Sequence, residues 1–152
     1  AGIAFQSATT GTGTGTGYTL DSYEVGTFTA TLKGSTGEPA TLITTTATYT
    51  KVGNRVYFDI GFEAIDTTGY SGGVTVIGLP FPRASSGRSV VNYIPYNSTT
   101  WGSGRQVTAV IAASASLIEV LSVASDTAWA PVAHSAGTSR YSWFTGTYKT
   151  DA

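Results

Sequence analysis

The segment Arg55–Ile65 narrows the fold more than any other part of the chain. Val56, Phe58, Ile60, Phe62 and Ala64 alternate with Arg55, Tyr57, Asp59, Gly61 and Glu63. Successive side chains on a strand point to opposite faces, so this pattern predicts a long strand with one buried face. Val52-Gly53-Asn54 is a turn that joins it to a second strand run, Thr41–Lys51. Upstream, Phe28, Ala30 and Leu32 alternate with Thr27, Thr29 and Thr31. Downstream, Val74–Leu79 is stopped by Pro80 and Pro82, and Ser89–Tyr96 is interrupted by Pro95, which marks an edge or bent strand. Gln106–Ala112 and Ser116–Val123 form a hairpin across Ala113-Ser114-Ala115, and Arg140–Lys149 is the last strand. Lys33–Pro39, Asp66–Gly73, Asn97–Gly104 and Asp126–Gly137 read as turns and loops. The Ser and Val content and short apolar runs of Ala109–Leu121 favour strands over a helix. About eight strands with long crossing loops predict an all-β fold, a jelly-roll-like antiparallel β-sandwich.

The rest of the composition agrees and excludes several classes. The chain has 152 residues, enough for one domain that folds without staples. It has no cysteine, hence no disulfide and no thiolate metal site, and no methionine. With Ala1 first, it is expected to be a fragment or a processed product. Eight basic residues are scattered from Lys33 to Lys149 and the formal net charge is −1, so the electrostatic footprint of a nucleic-acid binder is missing. No apolar stretch reaches the roughly 20 residues that cross a bilayer, so membrane insertion is not expected. Residues 1–25 stand apart. Gly11-Thr-Gly-Thr-Gly-Thr-Gly17 cannot build a core. It reads as a flexible linker or as an extended arm ordered by a neighbouring subunit, with Ile3, Phe5, Tyr18 and Leu20 as anchors. The β-sandwich is then expected over residues 26–152.

Catalytic patterns are present but lack their context. Gly69-Tyr70-Ser71-Gly72-Gly73 matches the Gly-x-Ser-x-Gly of serine hydrolases. That elbow needs a strand-to-helix turn with a histidine and a carboxylate behind it, whereas here it precedes a strand in a chain with one histidine, His134. Asp59 and Glu63 lie four residues apart on one strand face, about 13 Å at ~3.3 Å per residue. Glycoside hydrolysis wants carboxylates at roughly 5–9.5 Å. Scattered Asp and Glu with a single His offer no metal-ligand spacing, so neither metal nor cofactor is expected. The chain reads as a non-enzyme.

Four segments in order carry a family resemblance: Leu20-Asp-Ser-Tyr-Glu-Val-Gly-Thr-Phe-Thr-Ala-Thr-Leu32, Tyr49-Thr-Lys-Val-Gly-Asn-Arg-Val56, Gly78-Leu-Pro-Phe81 and Gly146-Thr-Tyr-Lys-Thr150. They resemble the β-sandwich domain at the C-terminal tip of bacteriophage tail fibres and tailspikes, and Gly2-Ile-Ala-Phe5 resembles the segment that precedes that domain. The chain departs from the pattern at Ala30, where a proline is common, and over Pro95–Gly137, which varies in that family. The resemblance implies a homotrimer mounted on the virion behind a fibre shaft, with attachment to the host surface as its task. The rivals are a trimerisation or capsid-decoration module without a ligand, an accessory domain of a longer enzyme, and a bacterial carbohydrate-binding module.

Loop aromatics supply the candidate ligand residues. Flat aromatic rings stack on the apolar faces of sugars, and an uncovered ring exposes costly apolar surface. Trp101 and Trp129 sit in polar loops, and Tyr93 and Tyr96 flank Pro95. With His134 they make the expected glycan site, in the loops Tyr93–Gly104 and Ser125–His134. Each ring has a plain alternative, folding back on the core or into a subunit interface. Tyr141, Trp143 and Tyr148 on the last strand read as core or interface. The sequon Asn97-Ser98-Thr99 carries no weight for a phage protein.

Overall fold

The structure, a computed structural model, describes residues 23–151. Residues 1–22, most of the expected arm, lie outside the described residues. The described chain is built from strands: β1 (Tyr23–Gly34), β2 (Thr44–Val52), β3 (Arg55–Ile65), β4 (Val74–Ile77), β5 (Ser89–Tyr96), β6 (Thr99–Thr100), β7 (Gln106–Ile111), β8 (Leu117–Val123), β9 (Ala130–Pro131), β10 (Ala133–His134) and β11 (Arg140–Lys149). The fold is all-β and antiparallel, as the alternation requires. β1 already starts at Tyr23, inside the stretch read as arm.

The main sheet runs β4-β1-β2-β3-β11-β5-β7-β8-β9, and β4 also pairs with β8. That second pairing (Thr75↔Glu119, Val76↔Ile118, Ile77↔Leu117) joins the two ends of the eight-strand run into a ring. The result is a closed barrel where two stacked sheets were expected. Alternation cannot distinguish the two, because in either case one face of each strand is buried. The four-residue β4 decides it by bridging strands that would otherwise leave open edges.

Side chains fill the barrel. Phe58, Phe62, Phe144 and Tyr148 are fully buried with Leu32, Ile111, Ile118 and several valines. Each large apolar side chain contributes about 1.5–3 kcal/mol relative to exposure. Phe62 meets Phe144 edge-on at 6.4 Å between centroids, and Tyr93 stacks on Phe144 at 4.6 Å.

The barrel has two unlike ends. At the entry end β1 begins and β11 finishes. The Gly78–Ala84 loop closes this end, held by Arg83 N–H to the Ala115 carbonyl (2.9 Å) and Ala84 N–H to the Lys149 carbonyl (2.7 Å). Gly78 adopts φ +99°, and a Cβ there would collide with the Thr29 carbonyl, so this turn requires glycine. Described residues of the four segments that carry the family resemblance meet here. Tyr49 packs edge-on against Phe81 at 5.6 Å and bonds through its hydroxyl to Glu24. Lys51 Nζ lies 5.6 Å from the centre of the Phe81 ring. The Tyr148 hydroxyl donates to the Phe81 carbonyl (2.9 Å). These residues build the plug of the barrel. At the opposite, loop end, the 35–43, 66–73, 97–105 and 124–139 segments are stitched together by the β6–β10 ribbon and by His134 N–H to the Gly72 carbonyl (3.0 Å).

Candidate functional site

The five residues expected to bind ligand do not form one site. Tyr93 points inward, half-buried on Phe144, with its hydroxyl 3.4 Å from Ser142 Oγ. His134 is part of the loop-end cap. Its ring stacks on Tyr70 at 5.0 Å, and Nε2–H donates to the Lys33 carbonyl (3.0 Å), which fixes the tautomer. Burial holds its pKa below the ordinary value for histidine. Trp129 folds along the barrel wall, half exposed, with the Arg88 guanidinium 5.4 Å from its ring centre. Trp101 is exposed at a loop tip. That loop is tied down by Arg105, which donates to Ser122 Oγ (2.9 Å), the Ser122 carbonyl (2.7 Å) and the Ala128 carbonyl (3.2 Å). Tyr96 stands on the outer wall of β5, and it leads to a different cluster.

Tyr96 meets Tyr141 edge-on at 5.7 Å, and Tyr141 stacks on Trp143 at 5.5 Å and 22°. The three rings form a continuous aromatic strip along the outer face of β5 and β11. Pairing explains the alignment: Tyr141 sits opposite Tyr96, and Trp143 sits opposite Ile94 on one side and Gly61 on the other. Paired residues of neighbouring strands project to the same face. Gly61 leaves open floor, so the indole of Trp143 lies across it.

A β-bulge sharpens this arrangement. Glu63 and Ala64 together stand opposite Tyr141, where the register of β3 and β11 shifts. Ala64 takes φ +50°, the left-handed region, and is exposed where the alternation placed it inside. Beside this bulge, Glu63 Oε1 accepts a hydrogen bond from Trp143 Nε1–H (3.2 Å), which pins the indole plane.

Next to the strip lies a groove of about 350 Å³. Trp143 and Ile94 form one wall, and Thr46, Thr48, Asp59 and Asn92 contribute its polar groups. Thr48, Asp59 and Thr145 are cross-strand partners in one row, and Asn92 pairs with Thr145 at its far end. Tyr96 is 57%, Ile94 64% and Trp143 37% exposed, a concentration of apolar surface that water covers poorly. No protein-family model matches the chain, and no curated protein matches it.

The geometry suits holding a polyhydroxylated ring. An aromatic face supplies apolar contact, carboxylate oxygens accept hydroxyl protons, and the Asn92 amide both donates and accepts. Of these residues, the sequence reading proposed Tyr96 for ligand binding, assigned Tyr141 and Trp143 to the core or an interface, and did not single out Asn92. One signal was available. Trp143 lies between Ser142 and Phe144, both inward on β11, so it must face outward opposite a glycine.

The hydrolase-like motif has become loop structure. Ser71 bridges to Gly37 and its Oγ lies 3.1 Å from Thr36 Oγ1. Tyr70 is buried, and its hydroxyl accepts from the Ile43 N–H (2.8 Å).

Proposed function

We propose that the chain is the tip domain of a virion fibre, a phage tail fibre or a related surface fibre. It attaches the particle to its host by binding a surface glycan without chemical turnover. The observation that carries the binding step is the exposed strip Tyr96–Tyr141–Trp143 beside the groove of Asp59 and Asn92. Stacking on aromatic rings with a few convergent polar groups is the usual economy of a small-ligand site. The eight-strand ring reads as two facing halves, β1–β2–β3–β11 and β5–β7–β8–β4, a jelly-roll-like sandwich closed along both seams. The fibre reading is supported by the resemblance and by the direction of the chain. β1 begins at the entry end, and Tyr96 and Tyr141 lie at the other end of the wall.

The test stains host cells with the purified, labelled protein and repeats the staining with single variants. Trp143→Ala and Tyr96→Ala lose most of the signal, and Trp101→Ala and Trp129→Ala retain it. Loss confined to the Trp101 and Trp129 variants would move the site to the loops. Absence of staining by the intact protein would favour a purely structural module.

The trimer is supported by a second apolar band on the outer wall. Val25, Thr50, Tyr57 and Thr147 form one cross-strand row near the entry end, and Val90 adjoins the Val91–Gly146 pair. Val25, Tyr57 and Val90 are all more than half exposed. Light scattering of the intact protein is expected to give three times the chain mass, and Val90→Asp with Tyr57→Asp to give monomer. A monomeric wild-type protein would favour an isolated carbohydrate-binding module.

A further inference from the structure

We infer that the groove selects uncharged pyranose units and turns away anionic sugars, a claim that rests on the glycan reading above and narrows its ligand. Charge on the outer wall carries the argument. The ionisable side chains at the groove and its rim are Asp59 and Glu63, both acidic, and the groove is lined by no lysine, arginine or histidine among the described residues. Lys51 on β2 is buried over Phe81 and Arg140 on β11 donates to the Ala136 carbonyl, which leaves Arg55 on β3 and Lys149 on β11, paired in register at the entry end, as the cations on the outer face of the flanking strands. Each is four residues along its strand from the Asp59–Thr145 row, about 13 Å at ~3.3 Å per residue. That distance exceeds the roughly 8 Å over which exposed charges act at physiological salt.

Glu63 is committed to the Trp143 indole, whereas Asp59 makes no side-chain hydrogen bond among the described residues. Its two oxygens accept and do not donate, so they match adjacent hydroxyls of one sugar ring. Asn92, at the other end of the same row, adds one acceptor and two donors. Thr46 and Thr48 add hydroxyls on the β2 side. A sugar carboxylate or sulfate placed on Trp143 would instead face two carboxylates with no cation to offset them, and like charges at close range suppress binding.

Affinity electrophoresis of the intact protein tests this with dextran, mannan and galactan as neutral polymers, polygalacturonate and hyaluronan as anionic ones, and glycol chitosan as a cationic one. At least one neutral polymer is expected to retard the protein, with retardation by the anionic polymers at least tenfold weaker. Trp143→Ala should abolish retardation. Asp59→Asn should weaken the neutral interaction severalfold and narrow the gap to the anionic polymers. Circular dichroism confirms that both variants keep the fold. Equal or stronger retardation by an anionic polymer, or strongest retardation by glycol chitosan, overturns the selectivity and leaves the glycan site standing. Retardation by none of the polymers overturns both.

Discussion

Tyr148 anchors the entry-end plug through a single hydroxyl, which donates to the Phe81 carbonyl and accepts from the Phe81 N–H (3.3 Å). Tyr148→Phe leaves both backbone groups without that partner, at a cost of about 1–2 kcal/mol in urea unfolding. Burial pushes the Tyr148 phenol up to about 12. The unfolded chain ionises near 10, so the contribution is complete below about pH 10 and is lost as pH rises toward 12. Alkaline unfolding followed by circular dichroism should therefore show a loss in that window which Tyr148→Phe reduces. Arg83 is the other buried anchor, 7% exposed, donating to the Ala84 carbonyl (2.7 Å) and the Ser86 carbonyl (2.5 Å). These residues hold a closure together, and they say nothing about which ligand the outer wall takes.

Elements separate what the sequence disclosed from what it hid. Strand positions were legible because Val56–Phe62 alternates without interruption, whereas Pro95 does not mark a sheet edge: β5 lies between β11 and β7, and Pro95 falls where β5 is bonded to β11 alone. The bulge in β3 was not legible. Ala64 continues the apolar alternation, yet the strand shifts phase there and Ile65 turns toward the core. Neither residue is a glycine, so nothing in the sequence advertises the left-handed backbone. An alanine held at φ +50° carries a cost of roughly 1–2 kcal/mol that glycine avoids. Ala64→Gly should change unfolding free energy by less than about 1 kcal/mol, because the gain is offset by a more flexible unfolded chain. Ala64→Val should cost at least about 1 kcal/mol and should also weaken glycan binding, since it disturbs the bulge beside Glu63. The loop-end cap was hidden for another reason. His134 and Tyr70 are far apart in sequence, and only the folded topology stacks them. Because burial lowers the His134 pKa, the cap is most stable above the unfolded value near 6.5 and weakens as pH falls below it. Amide exchange at His134, whose N–H donates to the Gly72 carbonyl, should accelerate from pH 7.5 to 5.5 after correction for intrinsic rates, and His134→Gln should remove the acceleration.

At the scale of the whole molecule, the ring and its unlike ends divide the labour. The entry end is dense with buried aromatic contacts and receives the incoming chain. The outer wall of β2, β3, β11 and β5 carries the aromatic strip. The separation means that a change in the strip need not disturb the plug: Trp143→Ala and Asp59→Asn are expected to leave the thermal midpoint nearly unchanged while binding falls. The placement of Tyr23 has a mechanical meaning as well. If the wall grips a cell while the leading segment hauls on β1, the load runs lengthwise down that strand. Its ladders to β2 and β4 then resist together, in shear, and do not peel rung by rung. A particle moored this way is held by a joint that tension meets in its strongest direction.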